Sequence, residues 1–258
     1  MVMKMTIFKT SNLISFNRLN ENNVVNLYTM KPYNFRKGFV DDKSIDSYYC
    51  EIENKMSKKF NKIIKPGQNH TSVVKIVNQD NINEEFNNVD GLITNLKNVA
   101  LVTSLADCQG ILLYDNKNKV IGNIHSGWKG TLNRIIENAI NLMISVYNSS
   151  PSDIEAYICP SILKCCFEVD EDVKNLFMEK FDDIEINKLI NLGKIKDNKQ
   201  KYLIDTISIN KLIMLNLGLK EENIVLSNIC TKCNNNLFHS HRGDGINSGR
   251  NIALISLE

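Results

Sequence analysis

Apolar residues follow two rhythms along this chain of 258 residues. Short runs rich in β-branched residues dominate the middle, and a three-to-four-residue period takes over in three places. Residues 72–77 (Ser-Val-Val-Lys-Ile-Val), 91–94, 99–105, 110–114, 120–124 and 154–158 read as strands, as do 224–229 and 252–257. Between 132 and 146, apolar residues at 132, 135, 136, 139, 140, 143 and 146 share one helical face. Segment 170–181 predicts an amphipathic helix with Asp170 as N-cap, and 205–217 another, stopped by Gly218. Segment 78–90 is polar, and 115–119 reads as a turn. The first 65 residues predict irregular or strand-like structure ending at Pro66-Gly67. Consecutive strands argue against a clean βαβ alternation and for a single α+β domain over 1–258, with mixed sheets and flanking helices.

Composition narrows the class. Hydrophobic residues make up 43% and charged residues 23%, enough for a packed core and against disorder. A net charge of +2 argues against a dedicated nucleic-acid binder. No apolar run approaches the roughly 20 residues that span a bilayer. Lys4 and Lys9 flank no long apolar segment, so the start does not read as a secretory signal. The expectation is a cytoplasmic protein whose seven cysteines serve as thiols, ligands or nucleophiles.

Candidate chemistry is densest in Ala106-Asp107-Cys108-Gln109 and in the stretch from Asn123 to Thr131. Cys108 sits in a polar break between two strands, and His125 ends the next strand. Neighbouring antiparallel strands can bring them together, as nucleophile and base or as zinc ligands. A buried structural cysteine beside an ordinary strand-end histidine fits the spacing equally well. Gly127, Lys129, Gly130 and Thr131 open a helix and suit an anion cradle, or a plain turn with Thr131 as N-cap. Trp128, the sole tryptophan, suits stacking on a base or burial in the core. Arg242 and Arg250 flank a Gly/Ser-containing loop and suit oxyanion recognition, or solvation at a surface turn. Cys230-Thr231-Lys232-Cys233 has C-x-x-C form without a second such pair, and Cys165-Cys166 are vicinal.

These residues also follow a known order: Asp90 to Thr94, Ala106-Asp107-Cys108, His125-Ser126-Gly127-Trp128-Lys129-Gly130-Thr131, Cys159 to Ile162, Phe167-Glu168-Val169, Cys230-Thr231, and Ser240-His241-Arg242 through Ser248-Gly249-Arg250. From about residue 70 onward the chain resembles the polyphenol oxidase/laccase-domain family, which includes purine nucleoside phosphorylases and peptidoglycan editing factors. The resemblance implies the toxin-like cysteine-hydrolase fold and a zinc site built from the histidine of a Gln-Val-His-Gly motif, the cysteine of Ala-Asp-Cys and the histidine of the Gly-Trp block. The last two map onto Cys108 and His125. The Gln-Val-His-Gly stretch aligns with residues 76–79, which puts Asn78 in the first ligand slot, and amide oxygen is a poorer zinc ligand than imidazole. Gly243 stands where the family has a second arginine.

The implied activity is phosphorolysis of adenosine, inosine, guanosine and methylthioadenosine, with adenosine deamination. A purine nucleoside and phosphate are the implied partners. Asp107, Cys108 and His125 are the catalytic candidates. Gly127, Trp128, Lys129, Thr131, Arg242 and Arg250 are the substrate and phosphate candidates, and Cys108, His125 and Asn78 the metal candidates. Three other readings stay open: a zinc-independent Cys108/His125 amide hydrolase, a nucleoside binder without turnover, and a copper oxidase.

Overall fold

The computed structural model describes residues 5–8, 12–182 and 184–258, so Lys4 and Lys9 lie outside the described residues. The chain runs β1 (Met5–Phe8), β2 (Leu13–Phe16), α1 (Asn17–Glu21), β3 (Val24–Thr29), α2 (Asp42–Met56), β4 (Lys62–Ile64), β5 (Val74–Ile76), β6 (Gly91–Thr94), β7 (Val99–Leu105), β8 (Gln109–Asp115) and β9 (Val120–Ser126). It continues with α3 (Trp128–Leu132), α4 (Ile135–Tyr147), β10 (Ile154–Ile158), β11 (Glu168–Val169), α5 (Glu171–Lys180), β12 (Ile190–Lys196), β13 (Lys199–Ile204), α6 (Thr206–Asn216), β14 (Ile224–Leu226), α7 (His241–Asp244) and β15 (Asn251–Leu257).

Two six-stranded mixed sheets, β1-β2-β3-β15-β7-β4 and β14-β10-β8-β9-β6-β5, face one another. Alternate residues of each strand serve alternate layers, because successive side chains point to opposite faces. Leu101, Leu105, Leu112, Tyr114, Ala253 and Ile255 fill the space between the sheets. Ala100, Val102, Ile252 and Leu254 turn the other way, onto Ile45 and Ile52 of α2. Ile111, Leu113 and Ile124 meet α4 and α6 through Ile136, Ile140 and Ile213. The result is a helix–sheet–sheet–helix stack, the α+β class expected. Asn123 pins the two sheets together: it accepts from the Thr103 hydroxyl at 2.8 Å and donates to the carbonyls of Leu101 and Ala253 at 2.8 and 2.9 Å.

Several elements differ from the sequence pattern. Helix α2 lies in the segment expected to be irregular or strand-like. Asp41 caps it by accepting from the Ser44 amide at 2.9 Å, and Ser57 ends it with φ +51°. Its buried positions are only Ile45 and Ile52, too sparse a stripe to announce a helix. The helix expected over 132–146 is α4, which starts only at Ile135 because Arg134 adopts φ +54°; Leu132 instead ends α3. Asp170 occupies the N-cap position of α5 as expected, but its side chain makes no capping hydrogen bond and pairs instead with Lys201 of the β12–β13 hairpin. That hairpin carries no strand-like pattern in the sequence, because Leu192 and Ile195 face solvent and break the alternation. Its two-residue turn, Asp197-Asn198, has φ +50° and +58°, the left-handed pair such turns need. Gly218 ends α6 as expected, with φ +97°.

Candidate metal centre and cleft

The β7–β8 turn, the end of β9 and the loop after β4 converge. Asp107, with φ +84°, turns the chain so that Cys108 projects toward His125 at the end of β9. His70 arrives from the third direction, its Nε2 3.7 Å from the Cys108 sulfur and its ring centroid 4.9 Å from that of His125. The donor atoms of His70, Cys108 and His125 all lie within 4.8 Å of one another.

Asp90, buried just before β6, organises this cluster. His125 Nδ1 donates to Asp90 Oδ1 at 2.7 Å, and the His125 amide donates to the Asp90 carbonyl at 2.7 Å. The same carboxylate accepts from the amides of His70 (3.1 Å) and Thr71 (2.7 Å) and from the Thr71 hydroxyl (2.7 Å). One side chain thus sets both the loop that carries His70 and the ring of His125. Burial pushes the Asp90 carboxyl up, but the hydrogen bonds from His125 and Thr71 outweigh it and hold it well below the usual carboxylate range. Burial likewise opposes ionisation of Cys108. The adjacent His125, and hydrogen bonds from His125 and His70, prevail and bring the thiol down to about 6. Burial opposes charge on His125 too, and the Cys108 thiolate with the Asp90 carboxylate raises it to about 9. These groups form a Cys–His–Asp relay, one imidazole nitrogen on the carboxylate and the other toward sulfur.

Gly127 lets the cluster close. A Cβ there would stand 2.7 Å from His70 Cδ2 and 3.2 Å from the Cys108 sulfur. Two imidazoles and a thiolate, one histidine fixed by a carboxylate, is a donor set suited to a transition metal with an open position toward the cleft.

Asn78 does not join this centre. Its Oδ1 accepts from the amides of Asp80 (3.0 Å) and Asn81 (3.1 Å) and so caps an exposed turn after β5. The second imidazole is His70, which lies outside the aligned strand; the ligand slot is filled by a different segment. His239 Nε2 donates to the Tyr33 carbonyl at 2.9 Å, and this histidine is not a member either.

The cluster opens into a cleft of about 1460 Å³ lined also by Trp128, Phe167, Arg242 and Arg250. Arg242 sits over the Phe167 ring at 5.5 Å and donates to the Glu168 carbonyl. Arg250 donates to the carbonyls of Ser248 and Gly249. Asp107 lines the cleft and has both carboxylate oxygens engaged, by the Thr231 hydroxyl at 2.7 Å and the Arg242 amide at 2.6 Å, which ties three loops together. Thr131 is fully buried and bonded to Ser126 at 2.9 Å; it neither caps α3 nor reaches the cleft. Gly127 is the N-cap of α3. Lys129 lies outside the cleft wall, its ammonium 5.6 Å from the Trp128 ring centroid. A side chain at Gly243 would meet Asn235 at 2.9 Å.

The cleft has a second, cationic pole that the sequence reading missed. Arg36, Lys37 and Lys65 join Arg250 there. Burial, with Lys37 and Arg250 nearby, brings Lys65 down to about 8. All three new residues come from the first 65 positions, and only the folding of that segment against β15 and β7 reveals them. Asp90 was visible as part of a motif, but nothing in the sequence tied it to His70 and His125.

The fold and the donor set define an α+β protein with a histidine–cysteine–histidine centre in a cleft that also carries a cationic pole. The chain belongs to the family described as multi-copper polyphenol oxidoreductase laccase, whose model matches residues 31–258. It is 35% identical over 169 residues to a purine nucleoside phosphorylase of Bacillus subtilis, covering 66% of this chain and 59% of that one. It is 31% identical to a purine nucleoside phosphorylase of Borreliella burgdorferi, covering 89% and 90%. An adenosine deaminase from an unknown prokaryote is 29% identical, covering 75% and 74%. The match thus spans less than two thirds of the Bacillus subtilis relative. Among solved structures, a hypothetical protein of Bacillus licheniformis superposes with a TM-score of 0.87 at 23% identity, covering 98% of each chain. Among the described residues, no helix is long and apolar enough to cross a membrane.

Proposed function

We propose that this chain is a zinc-dependent purine nucleoside phosphorylase. The observation that carries the reading is the pairing, in one cleft, of the His70–Cys108–His125 cluster with the cationic pole of Arg36, Lys37, Lys65 and Arg250. The relatives named above support it. His70, Cys108 and His125 would hold the zinc, which supplies Lewis-acid polarisation of a substrate oxygen or of water. An open cleft beside the cluster, with no methionine among its described lining residues, favours catalytic zinc over a blue-copper arrangement with an axial Met.

The chain's own residues have distinct tasks. Trp128 and Phe167 offer flat faces to a purine, and the cationic pole binds phosphate. A phosphate oxygen attacks the anomeric carbon; the glycosidic C–N bond breaks, and its electron pair leaves with the base, which takes up a proton. The products are free purine and the 1-phosphate of the sugar, ribose 1-phosphate from adenosine, inosine and guanosine and methylthioribose 1-phosphate from methylthioadenosine. Asp90 keeps His125 and the His70 loop in place throughout. Adenosine deamination in the same cleft is the secondary activity this reading allows.

The test is purified protein with adenosine, inosine, guanosine or methylthioadenosine, with and without inorganic phosphate. Phosphate-dependent base release, abolished in His70→Ala, is expected. No phosphate-dependent release from any of the four would overturn the proposal.

The Cys108–His125–Asp90 relay favours a second reading, an amide hydrolase with Cys108 as nucleophile and His125 as base. A thiol-alkylating reagent would then abolish turnover while a chelator would not.

A further inference from the structure

Four cysteines that the cleft does not use meet at the opposite side of the Asp107 loop. Cys165 and Cys166 come from the turn before β11, and Cys230 and Cys233 from the loop after β14. We propose that these four thiolates form a second metal site, a structural zinc centre separate from the His70–Cys108–His125 cluster.

The geometry carries it. All four sulfurs lie within 4.8 Å of one another, with Cys233 at 3.4 Å from Cys166 and 3.7 Å from Cys165. A tetrahedron with Zn–S bonds of about 2.3 Å has sulfur–sulfur edges of about 3.8 Å. A disulfide would need about 2.05 Å, and no cysteine of the described residues is in one. The C-x-x-C spacing of Cys230 and Cys233 is a common zinc half-site; the vicinal pair supplies the other half, 67 and 68 positions away.

The site also has something to hold. Its two loops are otherwise joined by an isolated bridge, the Ser161 amide on the Ile229 carbonyl at 3.2 Å and the Thr231 amide on the Ser161 carbonyl at 3.0 Å. Thr231, next to Cys230, holds Asp107; Phe167, next to Cys166, lines the cleft. Zinc here staples both loops behind the active cleft. Binding displaces the thiol protons to solvent as four Zn–S bonds form, with no change of oxidation state.

The inference stands apart from the proposed activity, and metal counting tests it directly. Protein purified under reducing conditions with zinc should carry two zinc ions per chain, Cys166→Ser/Cys233→Ser one, and Cys108→Ser one. Cobalt titration of the metal-free wild-type chain and of Cys108→Ser needs no change at the new site. Both should give the intense visible bands of a tetrahedral tetrathiolate cobalt centre. Equal zinc in wild type and Cys166→Ser/Cys233→Ser would overturn the proposal. So would the absence of tetrathiolate bands in both cobalt titrations, or the mass deficit of a disulfide among these cysteines in the reduced, zinc-loaded protein.

Discussion

Replacing Asp90 by Asn isolates the group on which the candidate centre depends. The carboxylate accepts from His125 Nδ1, from the amides of His70 and Thr71, and from the Thr71 hydroxyl, all within 3.1 Å. An asparagine keeps the shape but has one acceptor oxygen, and its NH2 meets groups that already donate. Hydrogen bonds to a charged group contribute about 1.5–3 kcal/mol each, and breaking a buried charge pair costs about 3–5 kcal/mol. For a chain of this size a loss of about 3–5 kcal/mol lowers Tm by roughly 6–20 °C. Metal affinity should fall roughly 10- to 100-fold, as when a carboxylate behind a metal-ligating histidine is lost.

The metal-free variant reports the same coupling through sulfur. In the wild type the Cys108 thiolate forms as pH rises through about 6, and His125 keeps its charge until about 9. Stability from the depressed thiol is present above its unfolded value of about 8.5 and is lost as pH falls through about 6. Stability from the raised imidazole is present below about 6.5 and is lost as pH rises through about 9. The charged pair therefore exists between about 6 and 9. Asp90→Asn weakens the imidazolium and so raises the thiol. A full return to about 8.5 would cut the thiolate fraction at pH 7 roughly 30-fold, which bounds the slowing of Cys108 alkylation. Competitive chelator titration and pH-dependent alkylation measure the two effects. Wild-type zinc affinity together with an unshifted alkylation profile would refute the reasoning.

Three further outcomes follow from the geometry. Asn78→His should leave metal content at the cleft unchanged, whereas His70→Ala should lose that metal, both read by mass spectrometry. Gly127→Ala should displace His70, whose Cδ2 would lie 2.7 Å from the new methyl; a stability loss of about 1–3 kcal/mol and weaker metal binding are expected, by denaturant titration and chelator competition. Phosphate affinity should fall as pH rises through about 8, where Lys65 loses its charge, and this step should vanish in Lys65→Met; calorimetric phosphate titration across pH checks it.

Much of the frame was written locally. Strands β6 to β10 alternate or run apolar strongly enough to be read directly, and Asp205 and Gly218 mark the ends of α6 by their own chemistry. Cys108 and His125 were legible because a polar break and a strand end sit on adjacent strands. The sequence placed Asn78 in the ligand slot because alignment follows chain order, and a loop from outside the aligned strand cannot be seen that way.

What the sequence by itself determined is the central strands β6 to β10, the later helices, the α+β class and two of the three residues of the candidate metal centre, because each rests on a pattern within a few residues. What only the tertiary structure decided is who meets whom. His70 reaches Cys108 because Asp90 ties its loop down, Arg36 and Lys65 join Arg250 because β3 and β4 pair with β15 and β7 in the first sheet, and four cysteines from two distant loops meet behind Asp107. Those contacts depend on long-range packing and buried hydrogen bonds, whose partners lie too far apart in the chain to leave a local pattern.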